Sequence, residues 1–333
     1  DLMGYRWLPY LMFNQTANYR SNIINTDNRG YRYSSDYNSH PKSIFQKNND
    51  KQNILILGGS YGFGVGSTRD DNTTAGYLEK FNKNYNYLNL SSRAHVGFQE
   101  ILSFLLNINE IKNVKKIIII SGLNDIHLSK HFDKTFPDSP YFKSLFLEKM
   151  EESQLPFRKK IFLKIFNLFS SNTLSFEAIK KINKKNFLTF LFSKRFKENL
   201  MNDKIESISF EQKLARNIKL YKLLGDNFKC EVDFYFQPVN NWCKDRSPQE
   251  EQIQELSKKY SKKINYHLDE VYNKESYEKY LNLYRKFSKK NSVNFYDLNE
   301  YFKKNSSRND WLFVDGVHCN DNGYKLAAKF ISG

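Results

Sequence analysis

The chain has only three cysteines, Cys230, Cys243 and Cys319, in 333 residues. An odd number at these spacings builds no disulfide framework, no zinc knuckle and no redox Cys-x-x-Cys pair. They are read as unpaired thiols, with a Cys230–Cys243 bridge as the alternative. No stretch approaches the roughly 18 consecutive apolar residues that a membrane-spanning helix needs. No His-Glu-x-x-His motif or other clustered ligand set points to a metal, and no metal or cofactor is expected. The glycine-rich run near residue 60 lacks the Lys-Ser/Thr that completes a phosphate loop. The second strand, ending in Leu88-Asn89-Leu90, offers no acid for a dinucleotide ribose. No internal repeat, low-complexity tail or secretory signal peptide is visible. The chain begins at Asp1 rather than Met, so an upstream piece is expected to be missing.

What the chain has in excess is positive charge. There are 52 Lys and Arg against 36 Asp and Glu, a formal charge of +16. Residues 141–220 alone hold 17 Lys and Arg against 8 Asp and Glu. Such a field attracts nucleic acid, anionic lipid, acidic glycans or acidic partners without choosing among them. No zinc-finger or RNA-binding signature accompanies it, so nucleic acid is not the expected partner.

Apolar residues make up 40% of the chain, enough for a sizeable core. Residues 1–50 are aromatic and Asn-rich with little periodicity, and read as a segment wrapping the domain that follows. Asn53 to Gly58 is a strand, Thr73 to Asn82 a helix capped by Thr73 or Thr74, and Tyr85 to Leu90 a strand. Gln99 to Asn109 is a helix, and Lys116 to Ser121 is the strongest strand. A continuous β-branched run of that kind suits a strand covered on both faces. Two strand–helix–strand units before residue 122 predict an α/β fold: three layers, with a mostly parallel sheet of about five strands between helices. Residues 132–225 interrupt the pattern with Phe- and Lys-rich segments of helical period, such as Ile161, Phe162, Ile165, Phe166 and Phe169. They read as a basic helical insertion between 51–131 and 226–333. The sheet resumes at Cys230 to Gln237. A long polar helix over about 248–289, a last strand at Asn294 to Asp297 and a closing helix at Asp321 to Phe330, capped by Asp321 or Asn322, complete the reading.

The chemistry concentrates at two places. In Asn53-Ile-Leu-Ile-Leu-Gly-Gly-Ser60-Tyr-Gly-Phe-Gly-Val-Gly66 a buried strand runs into two glycines and a serine. Open α/β sheets place their ligand sites at such carboxyl ends. Near the other terminus, Trp311-Leu-Phe-Val-Asp315-Gly-Val-His318 puts an acid and an imidazole three residues apart. A serine hydroxyl needs a base to take its proton, and the base needs an orienting group. Ser60 as nucleophile, His318 as base and Asp315 as its partner supply that set. The plain alternatives are a turn serine and a loop acid before a helix. Gly58-Gly-Ser60-Tyr-Gly62 also satisfies the G-x-S-x-G pattern. In α/β-hydrolases, however, the serine follows several strands, and acid and histidine arrive on separate loops.

Four blocks in order resemble the SGNH, or GDSL-like, hydrolase family: Gly58-Gly-Ser60-Tyr-Gly-Phe-Gly64, Asn89-Leu-Ser-Ser-Arg-Ala94, Gly122-Leu-Asn124-Asp125 and Asp315-Gly-Val-His318. Asn28-Arg29-Gly30-Tyr31-Arg32 is similar to the leader of a bacterial subgroup. The resemblance implies an SGNH/flavodoxin-like sandwich and a serine esterase or acyl-transfer enzyme. It also implies an oxyanion hole built from the Ser60 backbone N–H, the Asn124 amide and a third backbone N–H. That third position is a glycine in the family and Ala94 here, with Gly97 as the alternative. His95 and His127 sit beside the blocks as cleft-lining candidates, and Asp125 is expected to hold its loop. By the same resemblance the expected substrate is an acylated carbohydrate, such as an O-acetylated bacterial glycan. The alternatives are O-acyl transfer to a glycan, a lipase-like esterase, and a non-catalytic module that binds an acidic polymer. Residues 132–225 read as helices whose apolar face packs on the body and whose charges solubilise it, with contact to an anionic polymer or a membrane surface as the functional alternative. The compartment stays open between cytoplasm and periplasm or cell envelope.

Overall fold

The computed structural model describes residues 3–35, 42–43, 51–131, 141–154, 208–260 and 272–333. Its centre is a sheet of five strands: β3 (Gln52–Gly58), β4 (Tyr85–Asn89), β5 (Val114–Ser121), β6 (Glu231–Phe236) and β7 (Asn294–Asp297). Their spatial order is β4-β3-β5-β6-β7 and every pair is parallel. Leu55 pairs with Ile117, which pairs with Val232, and Leu57 pairs with Ile119, which pairs with Phe234.

Side chains alternate across a strand, so the isoleucine run of β5 feeds two cores. Ile117 and Ile119, with Leu55, Leu57, Phe234 and Phe236, enter one cluster; Ile118 and Ile120, with Ile54, Ile56 and Tyr235, enter the other. Burying each such side chain is worth about 1.5–3 kcal/mol, which is why this strand tolerates no polar residue between Ile117 and Ile120. The first cluster is covered by α3 (Gly97–Leu105), α6 (Phe210–Phe228) and α9 (Lys274–Lys290). The second is covered by α2 (Thr74–Phe81), α10 (Leu298–Asn305) and α11 (Asp321–Ser332). The expected three-layer architecture is therefore what the structure has.

Several boundaries differ from the sequence reading. Helix α6 begins inside the segment read as an insertion and runs three residues past its end, yet it buries Leu214, Ile218, Tyr221 and Leu224 in the first core. The chain divides into two compact units, 1–132 with 138–141 and 208–333, and 133–137 with 142–207. The second unit is described only over 142–154, mainly helix α5 (Lys143–Gln154). The Phe- and Lys-rich positions 161–185 lie outside the described residues. Among the described residues, the polar helix expected over about 248–289 is found as α8 (Pro248–Tyr260) and a separately started α9, whose Asn273 side chain caps Ser276 N. The last helix is capped by Asn320, whose Oδ1 accepts from Gly323 N, rather than by Asp321 or Asn322. Asp321 instead binds Thr68 N and Oγ1.

The N-terminal segment also has more order than its composition promised. Strands β1 (Tyr5–Leu8) and β2 (Met12–Gln15) form an antiparallel hairpin, Tyr5 opposite Gln15 and Leu8 opposite Met12. Its turn holds Tyr10 at φ 63°, and β2 opens with Met12 at φ 67°. Bulky residues seldom occupy that region, so the turn carried none of the Gly or Asn signals that announce a hairpin. All three cysteines are free thiols. Among the described residues no helix is long and apolar enough to cross a membrane.

Candidate active site

Strand β3 ends at Gly58. Gly59 precedes the short helix α1 (Ser60–Phe63), and Ser60 is its first residue. The two glycines are dictated by close approach. A Cβ on Gly58 would stand 2.4 Å from Ile120 O, and one on Gly59 would stand 2.6 Å from Asn124 Nδ2. Those clashes explain why two side-chain-free residues precede the serine. Helix α1 stops at Gly64, in the left-handed region at φ 88°, whose N–H donates to Ser60 O and Tyr61 O. The Ser60 N–H belongs to the first turn, where backbone donors have no partner within the helix.

Ser60 Oγ lies 2.7 Å from His318 Nε2, and His318 Nδ1 lies 2.6 Å from Asp315 Oδ2. A carboxylate only accepts, so Nδ1 carries the hydrogen and Nε2 is left to accept from the Ser60 hydroxyl. The second oxygen of Asp315 accepts from Val317 N and His318 N, both at 2.7 Å. Three-residue spacing thus lets one carboxylate hold both the backbone and the ring of His318. Desolvation pushes the Asp315 carboxyl upward. The His318 charge and the three hydrogen bonds outweigh it, holding the carboxyl below the usual range and ionised at neutral pH. Its side chain still touches solvent, at 45% exposure against 16% for His318.

The loop carrying this pair is a small hairpin. Phe313 bridges Cys319, Val314 N donates to His318 O, and Asn320 N donates to Leu312 O. Glu250, buried on α8, anchors its base by accepting from Leu312 N at 2.9 Å and Phe313 N at 3.0 Å. Lys244 Nζ and Ser247 N occupy the other oxygen of Glu250 at 2.8 Å. Asn240 N, at the start of α7 (Asn240–Cys243), donates to Gly316 O at the hairpin tip.

Asn124 sits on α4 (Leu123–His131), beyond the end of β5, and its amide donates to His95 O at 2.7 Å while standing beside Gly59. Ala94 is held at φ 62°, the left-handed conformation that glycine adopts freely and alanine does not. Its N–H has no acceptor among the described residues. Gly97 N–H is committed: it donates to Asp125 Oδ2 at 2.9 Å. Asp125 therefore ties the start of α3 to the start of α4.

The two cleft-lining histidines separate. His95 is 0% exposed and bonds Phe13 O through Nε2 at 3.0 Å. Burial lowers it to about 4, so it is a neutral core residue that donates to Phe13 O, and only its own carbonyl reaches the site, through Asn124. His127, one helical turn after Asn124, stacks on Tyr141 and bonds its hydroxyl at 2.5 Å.

Three residues important to the site escaped the sequence reading. Arg32 is fully buried; its Nε pairs with Asp70 Oδ1 at 2.7 Å, and its Nη1 donates to Gly64 O at 2.7 Å, at the end of the helix that Ser60 begins. The leader motif that contains it was visible, but its target was not. Glu100 is buried on α3, receiving Ser121 Oγ and Tyr221 Oη at 2.6 Å each. An acid beside Ile101 on an otherwise apolar helix face was its one signal. Gln15, at the end of β2, carried none. Burial pushes the Cys230 thiol up to about 11 and raises those of Cys243 and Cys319, which disfavours thiolates at neutral pH.

No protein-family model matches the chain, and no curated protein does. Solved structures do. An acetyl xylan esterase is matched at 13% identity and TM-score 0.39, over 84% of this chain and 97% of that one. A member of the lipolytic G-D-S-L family from Veillonella parvula is matched at 13% identity and TM-score 0.42, over 84% and 94%. A lipase/acylhydrolase from Enterococcus faecalis is matched at 9% identity and TM-score 0.42, over 84% and 93%. At this distance the chain is similar to esterase and GDSL-type hydrolase structures in the kind of fold it has.

Proposed function

We propose that this protein is a serine esterase that removes O-acetyl or another small acyl group from a glycan through an acyl-enzyme. The observation that carries the reading is the unbroken relay from Ser60 Oγ through His318 to Asp315, at 2.7 and 2.6 Å. A serine hydroxyl is inert at neutral pH unless a base stands within hydrogen-bond reach, and here it does. Ser60 Oγ attacks the ester carbonyl while its proton passes to His318 Nε2. The imidazolium is stabilised by the ionised Asp315. The oxyanion is met by Ser60 N–H, by the hydrogen of the Asn124 amide that His95 O does not hold, and by Ala94 N–H. Collapse expels the alcohol, which takes the proton back from His318. Water then attacks the acyl-enzyme, giving its proton to His318, and the acid leaves as Ser60 regains its hydrogen.

The glycan preference rests on the bacterial leader resemblance, with Asn28-Arg29-Gly30-Tyr31-Arg32 as its residues. Two measurements test the proposal. A serine-directed fluorophosphonate should label the protein at Ser60 and fail to label Ser60→Ala. A panel of O-acetylated sugars, with and without an acceptor glycan, should release acetate with no need for acceptor. No labelling and no acetate release would refute the reading. Acyl appearing on the acceptor in place of free acid would make the enzyme a transferase using the same relay.

A further inference from the structure

The two residues preceding Ala94 and the one following it are tied to the N-terminal hairpin. On one side, Ser92 Oγ donates to Asn14 Oδ1 at 2.8 Å and accepts from Gln15 Nε2 at 2.8 Å. Arg93 Nε donates to Gln15 Oε1, and Arg93 Nη2 donates to Met3 O at 2.6 Å. On the other side, His95 Nε2 bonds Phe13 O at 3.0 Å, and Gln99 Nε2 donates to Leu11 O at 2.9 Å. The hairpin is itself braced from behind by the leader turn. Asn14 Nδ2 donates to Arg29 O at 2.9 Å, and Gly30, at φ 91°, lies so close that a Cβ there would be 2.3 Å from Gln15 O.

Between these anchors stands an alanine in a conformation that its methyl group opposes. Left alone, Ala94 relaxes towards ordinary negative φ, and its N–H turns away. We infer that Gln15 is a positioning residue for the oxyanion hole: it clamps Ser92 and Arg93 so that Ala94 is forced into the left-handed conformation that aims its N–H at the substrate oxygen. The inference rests on the esterase reading above. It makes the N-terminal segment a working part of the site rather than a wrapping. It also gives a reason for an alanine at this position: the strain that a glycine would avoid is borne by the hairpin. Gln15 is suited to the task because it is fully buried and uses both ends of its amide, donating to Ser92 and accepting from Arg93.

The test uses the full chain and a small acetyl ester. Gln15→Leu removes both bonds at similar volume. Arg93→Met, at a half-buried position, removes one of them and is the second variant should Gln15→Leu fold poorly. In each folded variant kcat should fall about tenfold or more, short of the 10²–10³ seen when a donor is deleted outright. KM should stay within about twofold. Fluorophosphonate labelling of Ser60 should persist, which shows the relay intact. The decisive arm adds Ala94→Gly. Glycine adopts φ near 60° without the clamp, so Ala94→Gly should restore most of the lost kcat in either variant while leaving their lowered melting temperatures largely unrepaired. A kcat loss that Ala94→Gly does not touch, or folded variants with wild-type kcat, would overturn the inference. A wild-type protein that neither hydrolyses esters nor labels would instead overturn the esterase reading beneath it.

Discussion

Glu100 makes the stability of this protein depend on pH in an unusual direction. Its carboxyl is 1% exposed, on α3 between the end of β5 and α6. Burial, with Asp125 nearby as the second cause, raises it to about 8 from an ordinary 4.5, against the opposing hydrogen bonds from Ser121 and Tyr221. Between those two values the folded protein binds a proton that the unfolded chain has released. The stabilisation is therefore complete below about pH 4.5 and is lost as pH rises through about 8. A gap of about 3.5 pH units at about 1.36 kcal/mol per unit is about 5 kcal/mol, a large share of the 5–15 kcal/mol that typically holds a domain together. Above pH 8 the ionised Glu100 places a second negative charge near Asp125, the residue that ties Gly97 to α4. Glu100→Gln mimics the protonated acid at every pH. Urea unfolding of both proteins at pH 5 and pH 9 should show the wild type losing several kcal/mol more than the variant. Parallel stability curves would refute the reasoning.

Other outcomes follow from the same geometry. Ser60→Ala should abolish ester turnover while the melting temperature stays near that of the wild type, because only a hydroxyl is removed; retained turnover would mean another nucleophile. Asp315→Asn should lower kcat less than His318→Ala does, since the acid orients and the imidazole moves the proton; the reverse order in side-by-side kinetics would contradict the relay. Asn124→Ala should cost about 10²–10³ in kcat, and a loss under threefold would remove Asn124 from the oxyanion hole. Arg32→Leu leaves Asp70 buried without its cation and should destabilise by about 3–5 kcal/mol in urea unfolding; addition of Asp70→Leu should recover part of that loss.

Much of the site was legible because its chemistry sits at strand ends with local signals. Ser60 follows an apolar run and two glycines, and the run itself says that a buried strand has ended. Asp315 and His318 announce one another by spacing. Asn124 follows the strongest strand by three residues. The resemblance puts Ala94, with Gly97 as the alternative, at the family's glycine position, while the left-handed backbone of Ala94 has no local signal, since nothing nearby favours φ 62° in alanine. His95 misled for the opposite reason. It stands next to the oxyanion loop in sequence, yet its ring turns into the core, because Phe13, eighty-two positions away, offers an acceptor there.

The sequence by itself determined most of the succession of strands and helices and the doubly covered sheet, and it singled out Ser60, His318 and Asp315 as candidates. Each of these is written in periodicity or in the spacing of a few neighbours. Only the tertiary structure decided that α6 belongs to the sheet, that Glu250 anchors the loop of Asp315 and His318, that burial raises the Glu100 carboxyl, and that a hairpin with no turn signal grips Ser92, Arg93 and His95. Those facts depend on partners far apart in the chain, and on side-chain amides and carboxylates whose meaning is set by what folding places opposite them. A buried Gln15 reads like any other glutamine until Ser92 and Arg93 are brought to its two ends.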